Sequence, residues 1–284
     1  MKIAYRLFGL FVATFHFGVQ AQVILKMQHL PGHIYQSQNK THIKEDIDYA
    51  GDTAVVNMTK KIGPPRGFEI WRETVVDNKI GKQTIKGLAF TMSLTTQSRT
   101  KQKTSEGIER ELPSGMAKKE NLYGYYSRGE HINIDSISNV KMSESIKVIY
   151  MQRLNETQSE ITFPVTALKI GDTFTENKHI STPGAGLLDD MRAKTTYTLV
   201  AMQNEKAFFD TKTELSINTE GRQITMDMKG NGTGKMVYDM GINYPLSIQN
   251  NITVKYTVVP MQGPNVHMTG SLTINTEQQN TVTF

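Results

Sequence analysis

Alternation with a period of two runs through most of this chain, and it admits few architectures other than antiparallel β-sheet. Leu88, Phe90, Met92 and Leu94 stand at every second position, as do Ile224, Met226 and Met228, with mostly polar or small residues between them. Each such segment reads as a strand with one wet face. The pattern returns at Val23-Leu25-Met27, Tyr197-Leu199-Ala201, Leu215-Ile217, Met236-Tyr238-Met240, Ile252-Val254-Tyr256-Val258 and Leu272-Ile274. Runs spaced by roughly ten to fifteen residues and separated by Gly, Asn and Pro favour antiparallel pairing over βαβ units. The expected fold class is mainly β, with α+β as the variant: a curved antiparallel sheet or open half-barrel carrying one or two short helices.

Turn chemistry is densest at Lys229-Gly230-Asn231-Gly232-Thr233-Gly234-Lys235, which supplies residues that accept positive φ. It predicts a hairpin that pairs the run of Met226 and Met228 with the run of Met236, Tyr238 and Met240. The spacing of its glycines is not that of a phosphate-binding loop, and no apolar helix follows. Ser143 is placed to cap a helix reaching about Gln158, with Ile146, Ile149, Tyr150 and Leu154 on its apolar face. The β-branched residues there also fit a short strand through Ile146, Val148 and Tyr150. Thr182 to Met191, with Pro183 and two glycines, reads as a loop. Residues 22–284 are expected to form one β-rich domain whose two sheet-rich halves meet at a hinge near 159–175. Lys101 to Tyr126 fits no pattern of this kind.

Location is signalled at the start of the chain. Lys2 and Arg6 precede an apolar stretch from Leu7 to Phe17 that ends in Val19-Gln20-Ala21, the layout of a secretory signal peptide over residues 1–21. Its apolar core is too short for a membrane helix, so no span is expected after cleavage, and the protein is expected in the periplasm or outside the cell. Lys2 and Arg6 leave with the signal, lowering the formal net charge from +5 to +3. The chain has no cysteine, which excludes disulfides, thiolate nucleophiles and lipid-modified N-terminal cysteine. Basic residues at Lys60-Lys61, Arg99 to Lys103 and Lys118-Lys119 read as solvated loops or edge strands, and nucleic acid is not an expected partner. The closing Val282-Thr283-Phe284 is similar to the end of an outer-membrane barrel strand, but 8% aromatic content supplies no aromatic girdles.

Several short pieces point to a family. Tyr35, Phe163-Pro164, Lys169-Ile170-Gly171-Asp172-Thr173-Phe174, Tyr197-Thr198-Leu199-Val200 and Gly232 to Asp239 together resemble an uncharacterised family of exported envelope proteins. The resemblance implies export and carries no assigned activity. Read physically, Lys169 to Phe174 is a strand, a Gly-Asp turn and a second strand. The expected architecture also resembles the lipoprotein-localisation carriers, whose curved sheet holds an acyl chain, a likeness of fold that cannot establish function.

The chemistry-bearing residues do not converge in sequence. His29, His33, His42, His131, His179 and His267 include no HExxH pattern, so they read as surface or loop histidines and no metal is expected. There is no Gly-x-Ser-x-Gly elbow, and Asp189-Asp190 and Glu109 with Glu111 read as solvated acids. Catalytic residues and cofactors are therefore expected to be none. Met226, Met228, Met236, Tyr238 and Met240 remain as candidate ligand-binding residues, since flexible thioethers adapt to irregular apolar ligands. The plainer reading makes them core filling. The functional expectation is a non-enzymatic envelope protein that binds an acyl chain or lipid on a concave sheet. The alternative is a structural or protein-interaction module with a filled core and an envelope protein as partner.

Overall fold

The computed structural model describes residues 22–114, 117–127, 132–138, 142–157, 161–180, 191–218, 224–260 and 266–284. The signal-peptide segment 1–21 and nearly all of the loop expected from Thr182 lie outside the described residues. The first meander comprises β2 (Ile34–Gly51), β3 (Gly67–Gln83), β4 (Leu88–Lys103), β5 (Glu109–Leu112), β6 (Lys118–Tyr126) and β7 (Ile132–Ser138). The second comprises β9 (Thr173–Ile180), β10 (Met191–Gln203), β11 (Lys206–Asn218), β12 (Ile224–Asp239), β13 (Tyr244–Pro260) and β14 (Val266–Thr283). A separate short ladder joins β1 (Gln22–Val23) to β8 (Leu168–Lys169). Among the described residues two helices, α1 (Thr53–Ile62) and α2 (Glu144–Thr157), accompany the strands.

Among the described residues all pairing is antiparallel, and the main sheet runs β7-β6-β4-β3-β2-β14-β13-β12-β11-β10-β9, with β5 on β4. The ladder between β2 and β14 stitches the two meanders together, from Ile34 against Thr283 to Gly51 against Val266. Among the described residues the ends of the sheet, β7 and β9, do not pair, so the mainly β class is that of an open, curved sheet and not a closed barrel. No helix among them is long and apolar enough to cross a membrane.

Apolar residues of one phase of the alternation gather in three clusters. Phe209, Leu199, Met236 and Tyr238 form the first, joined by Val23 and Leu168 of the β1–β8 ladder and by Leu25 just after it. Phe90, Leu122, Tyr35 and Ile134 anchor the second, against which α2 packs Tyr150, Met151 and Leu154. Met226, Met228, Val254 and Tyr256 lie in the third, at the opposite end of the same strands. The Lys169–Phe174 motif folds as expected into a turn between β8 and β9. Gly171 takes a φ of +95°, and the Asp172 side chain accepts a hydrogen bond from Lys169 N at 2.8 Å.

Several expectations are corrected. The Lys229–Lys235 segment makes no hairpin: β12 continues through it, pairing with β11 on one side and β13 on the other. A Cβ at Gly232 would lie 2.6 Å from Cγ1 of Ile252, so glycine serves here for close approach of neighbouring strands, not for a reversal. The α2 helix is present, but rotated. Ile146 and Ile149 are 54% and 55% exposed, and the packed face is Tyr150, Met151 and Leu154. Asn155 fixes that rotation by accepting a hydrogen bond from Ile134 N at 2.7 Å, and Tyr150 donates to Glu120. His29 is not at the surface. It is 4% exposed, stacked on Tyr126 at 4.0 Å and edge-on to Tyr35 and Tyr244. The basic stretch Arg99 to Lys103 of β4 is not at an edge, being paired to β3 and, over Thr100–Lys103, to β5, whereas Lys118-Lys119 are exposed in the part of β6 that pairs with β4 alone.

Helix α1 follows a residue placed to cap it. Asp52 accepts from Ala54 N at 2.9 Å and Val55 N at 3.3 Å, satisfying two of the helix's terminal donors. Asp52→Ala is expected to cost α1 about 1 kcal/mol, read as roughly fivefold faster amide hydrogen exchange across Thr53–Ile62.

Candidate functional site

Met226, Met228, Met236 and Tyr238 share one face of β12 but divide between two clusters. Met226 and Met228 pack in the third cluster, Met236 and Tyr238 in the first, and Met240 packs against that first cluster from its rim. Met236 and Tyr238 are 1% and 0% exposed. Tyr238 also donates to the Lys26 carbonyl, which ties the N-terminal segment over the cluster. These side chains pack inside the sheet's apolar face, and none lines the cleft formed by Trp71 and its neighbours.

That cleft lies on the other phase of the alternation. Successive side chains of a strand point to opposite faces, so Lys235 faces away from Met236. The register then lays two rows of side chains across six neighbouring strands. Arg99, Trp71, His42, Asn275, Asn251 and Thr233 stand opposite one another in turn on β4, β3, β2, β14, β13 and β12. Beside them run Gln97, Glu73, Lys40, Glu277, Gln249 and Lys235 on the same strands. A flat stretch of six strands would be an open surface about 24 Å wide. Here it lines a cleft of about 900 Å³, which Glu111 of β5 and Ser114 and Ala117 of the following connection also line.

The rows are internally braced. The His42 ring stacks on Trp71 with centroids 5.1 Å apart and planes 9° from parallel. Arg99 places its guanidinium carbon 4.3 Å from the Trp71 ring centroid, and Lys101 Nζ lies 5.6 Å from it. Strands β2 and β4 flank β3, so His42 and Arg99 cover opposite faces of the indole. His42 Nε2 meets Glu69 at 2.8 Å, Arg99 pairs with Glu111 at 3.8 Å, and Asn251 donates to Asn275 at 2.6 Å. Gln38, one step outside the second row, donates to Glu73. Lys40, Arg99 and Lys235 stand against Glu73, Glu111 and Glu277, so the lining is charge-balanced apart from Arg72, whose place between Trp71 and Glu73 turns its side chain to the other face.

Strongly perturbed ionisable groups lie elsewhere. Burial, with the Glu176 carboxylate beside it, pushes the Tyr197 phenol well above its ordinary value. Burial and the hydrogen bond to Glu45 do the same to Tyr256. Both are acids held neutral inside the sheet, a structural role that needs no reaction to explain it. Among the described residues, no group of three or more His, Asp or Glu side chains is placed to hold a metal.

The cleft residues left one trace in the sequence. Phe68 and Ile70 occupy the apolar phase of β3, whereas Trp71, the sole tryptophan, falls in its polar phase between Glu69 and Glu73. A large aromatic out of phase sets this strand apart from the others, and its contacts are with His42, Arg99 and Lys101. No protein-family model matches the chain, and no curated protein sequence does.

Proposed function

We propose that this is a non-enzymatic envelope protein, exported by a signal peptide over residues 1–21 to the periplasm or beyond, that binds a ligand in the Trp71 cleft of its curved sheet. The observation that supports this reading is the cleft itself. Its volume, about 900 Å³, is in the range of small-molecule sites, and its walls are strands locked by main-chain ladders, so it needs no reorganisation to receive a ligand. Its lining joins the indole and the aliphatic stems of Lys40 and Lys235 to amides and carboxylates, which suits a polar or amphipathic ligand better than a bare acyl chain. The methionine face is spent on the core.

A second reading, a protein-interaction module, draws support from the packed methionines and from the exposed Ile146, Val148 and Ile149 on α2. The two readings part at Trp71, whose emission is the only indole signal of the chain. Mature protein titrated with palmitate, lysophospholipid, short peptides and oligosaccharides is expected to show a saturable change in Trp71 emission with at least one class. A folded protein whose emission responds to none of them leaves the interaction module as the better account.

A further inference from the structure

Resting on the reading of the Trp71 cleft as a ligand site, we infer that its ligand is an uncharged saccharide chain lying across the strands, with about one sugar ring per strand. The first argument is pitch. Donors and acceptors recur along each row at the interstrand spacing of about 4.8 Å, comparable to the length of a sugar ring. An extended peptide repeats its same-facing groups every ~6.6 Å, twice its rise per residue, and falls out of step within three strands.

The second argument is hydrogen-bonding character. Asn251 spends one amide hydrogen on Asn275, leaving the Asn275 amide group to donate and the Asn251 carbonyl to accept. Glu277 beside them accepts, and Lys40 donates. A surface that alternates donors and acceptors over short distances is matched by hydroxyl groups, which do both. An acyl chain would leave these groups desolvated and unpaired, at a cost of about 1–3 kcal/mol each. A polyphosphate or nucleic-acid strand would meet Glu73 and Glu277 on either side of Lys40, and the like charges would oppose it.

The third argument concerns Trp71. With His42 on one face and Arg99 on the other, the indole presents an edge to the cleft, not a plate. It therefore acts as a rigid ridge that a chain lying across the strands passes over, and selectivity rests on the amide and carboxylate rows.

Cello-, chito- and mannohexaose, each compared with its dimer, test the inference by titration calorimetry and Trp71 emission on residues 22–284. At least one hexaose is expected to bind, at least tenfold more tightly than its dimer. Asn275→Ala is expected to weaken that binding about tenfold with no change in thermal unfolding. Asn251→Ser, which keeps a small polar group, serves as a second variant and should weaken it less. Equal affinity for dimer and hexaose, or binding that Asn275→Ala leaves untouched, would overturn the saccharide assignment. A response to palmitate or peptide with none to any hexaose would also overturn it, while leaving a ligand site in the cleft. Silence toward every class from a folded protein removes both.

Discussion

Gly234→Val is expected to unfold the protein or bring it to the edge of unfolding, with a loss of about 3 kcal/mol or more. A Cβ at Gly234 would collide with the carbonyl oxygen of Gln249 and stand 2.5 Å from Asn250 Oδ1 and 2.7 Å from Thr211 Oγ1. Gln249 belongs to β13 and Thr211 to β11, and both strands are held to β12 by continuous ladders, so neither can retreat without breaking pairs. Ordinary overpacking of a core costs about 1–3 kcal/mol, and a clash with backbone lies at or beyond the top of that range. Gly241→Ala is the matched control: its Cβ would meet nothing closer than Asp239 Oδ1 at 3.2 Å, and its urea midpoint should stay near that of the parent. Were residues 229–235 a hairpin loop at the surface, Gly234→Val would cost no more than the control. A soluble Gly234→Val protein with an unshifted urea midpoint would therefore refute the continuous β12 strand.

The same seven residues show what was legible and what was not. Gly-Asn-Gly-Thr-Gly is the composition of a turn, and composition is what a local reading weighs. Yet Met226, Met228, Gly230, Gly232, Gly234, Met236 and Tyr238 all share one parity, and an unbroken period of two is the mark of one strand. Strand existence was readable because alternation is local. Sheet order was not, because the ladder that unites the meanders joins Ile34 to Thr283, at opposite ends of the described chain. The cleft is hidden for the same reason, since each of its rows takes one residue from each of six strands. In α2 the helix was readable from its cap and length, but its rotation is set by Asn155 and Tyr150 reaching β7 and β6, contacts no helical wheel contains. Helix α1 is masked in the sequence because Val55 and Val56 favour strands, whereas the Asp52 cap decides the matter.

Phe209→Ala is expected to cost about 3–5 kcal/mol, and the behaviour of its neighbour Met236 then decides what the methionines are for. Phe209 sits opposite Met236 on β12 and Leu199 on β10, with Phe174 edge-on at 6.1 Å. All of these side chains are buried, so deleting the ring leaves a cavity that rigid strands cannot collapse to fill. Met236→Ala should cost about 2–5 kcal/mol for the same reason. Met236→Leu, which conserves volume, should cost less than about 1.5 kcal/mol. None of the three should alter ligand affinity once the protein is folded, because Met236 and Lys235 point to opposite faces of β12 and only Lys235 lines the cleft. If instead Met236→Leu left stability intact and abolished binding of a lipid or acyl chain, the interior cluster would be a ligand chamber that opens. The function would then belong to the apolar face of the sheet, and the Trp71 cleft would be a braced but idle surface.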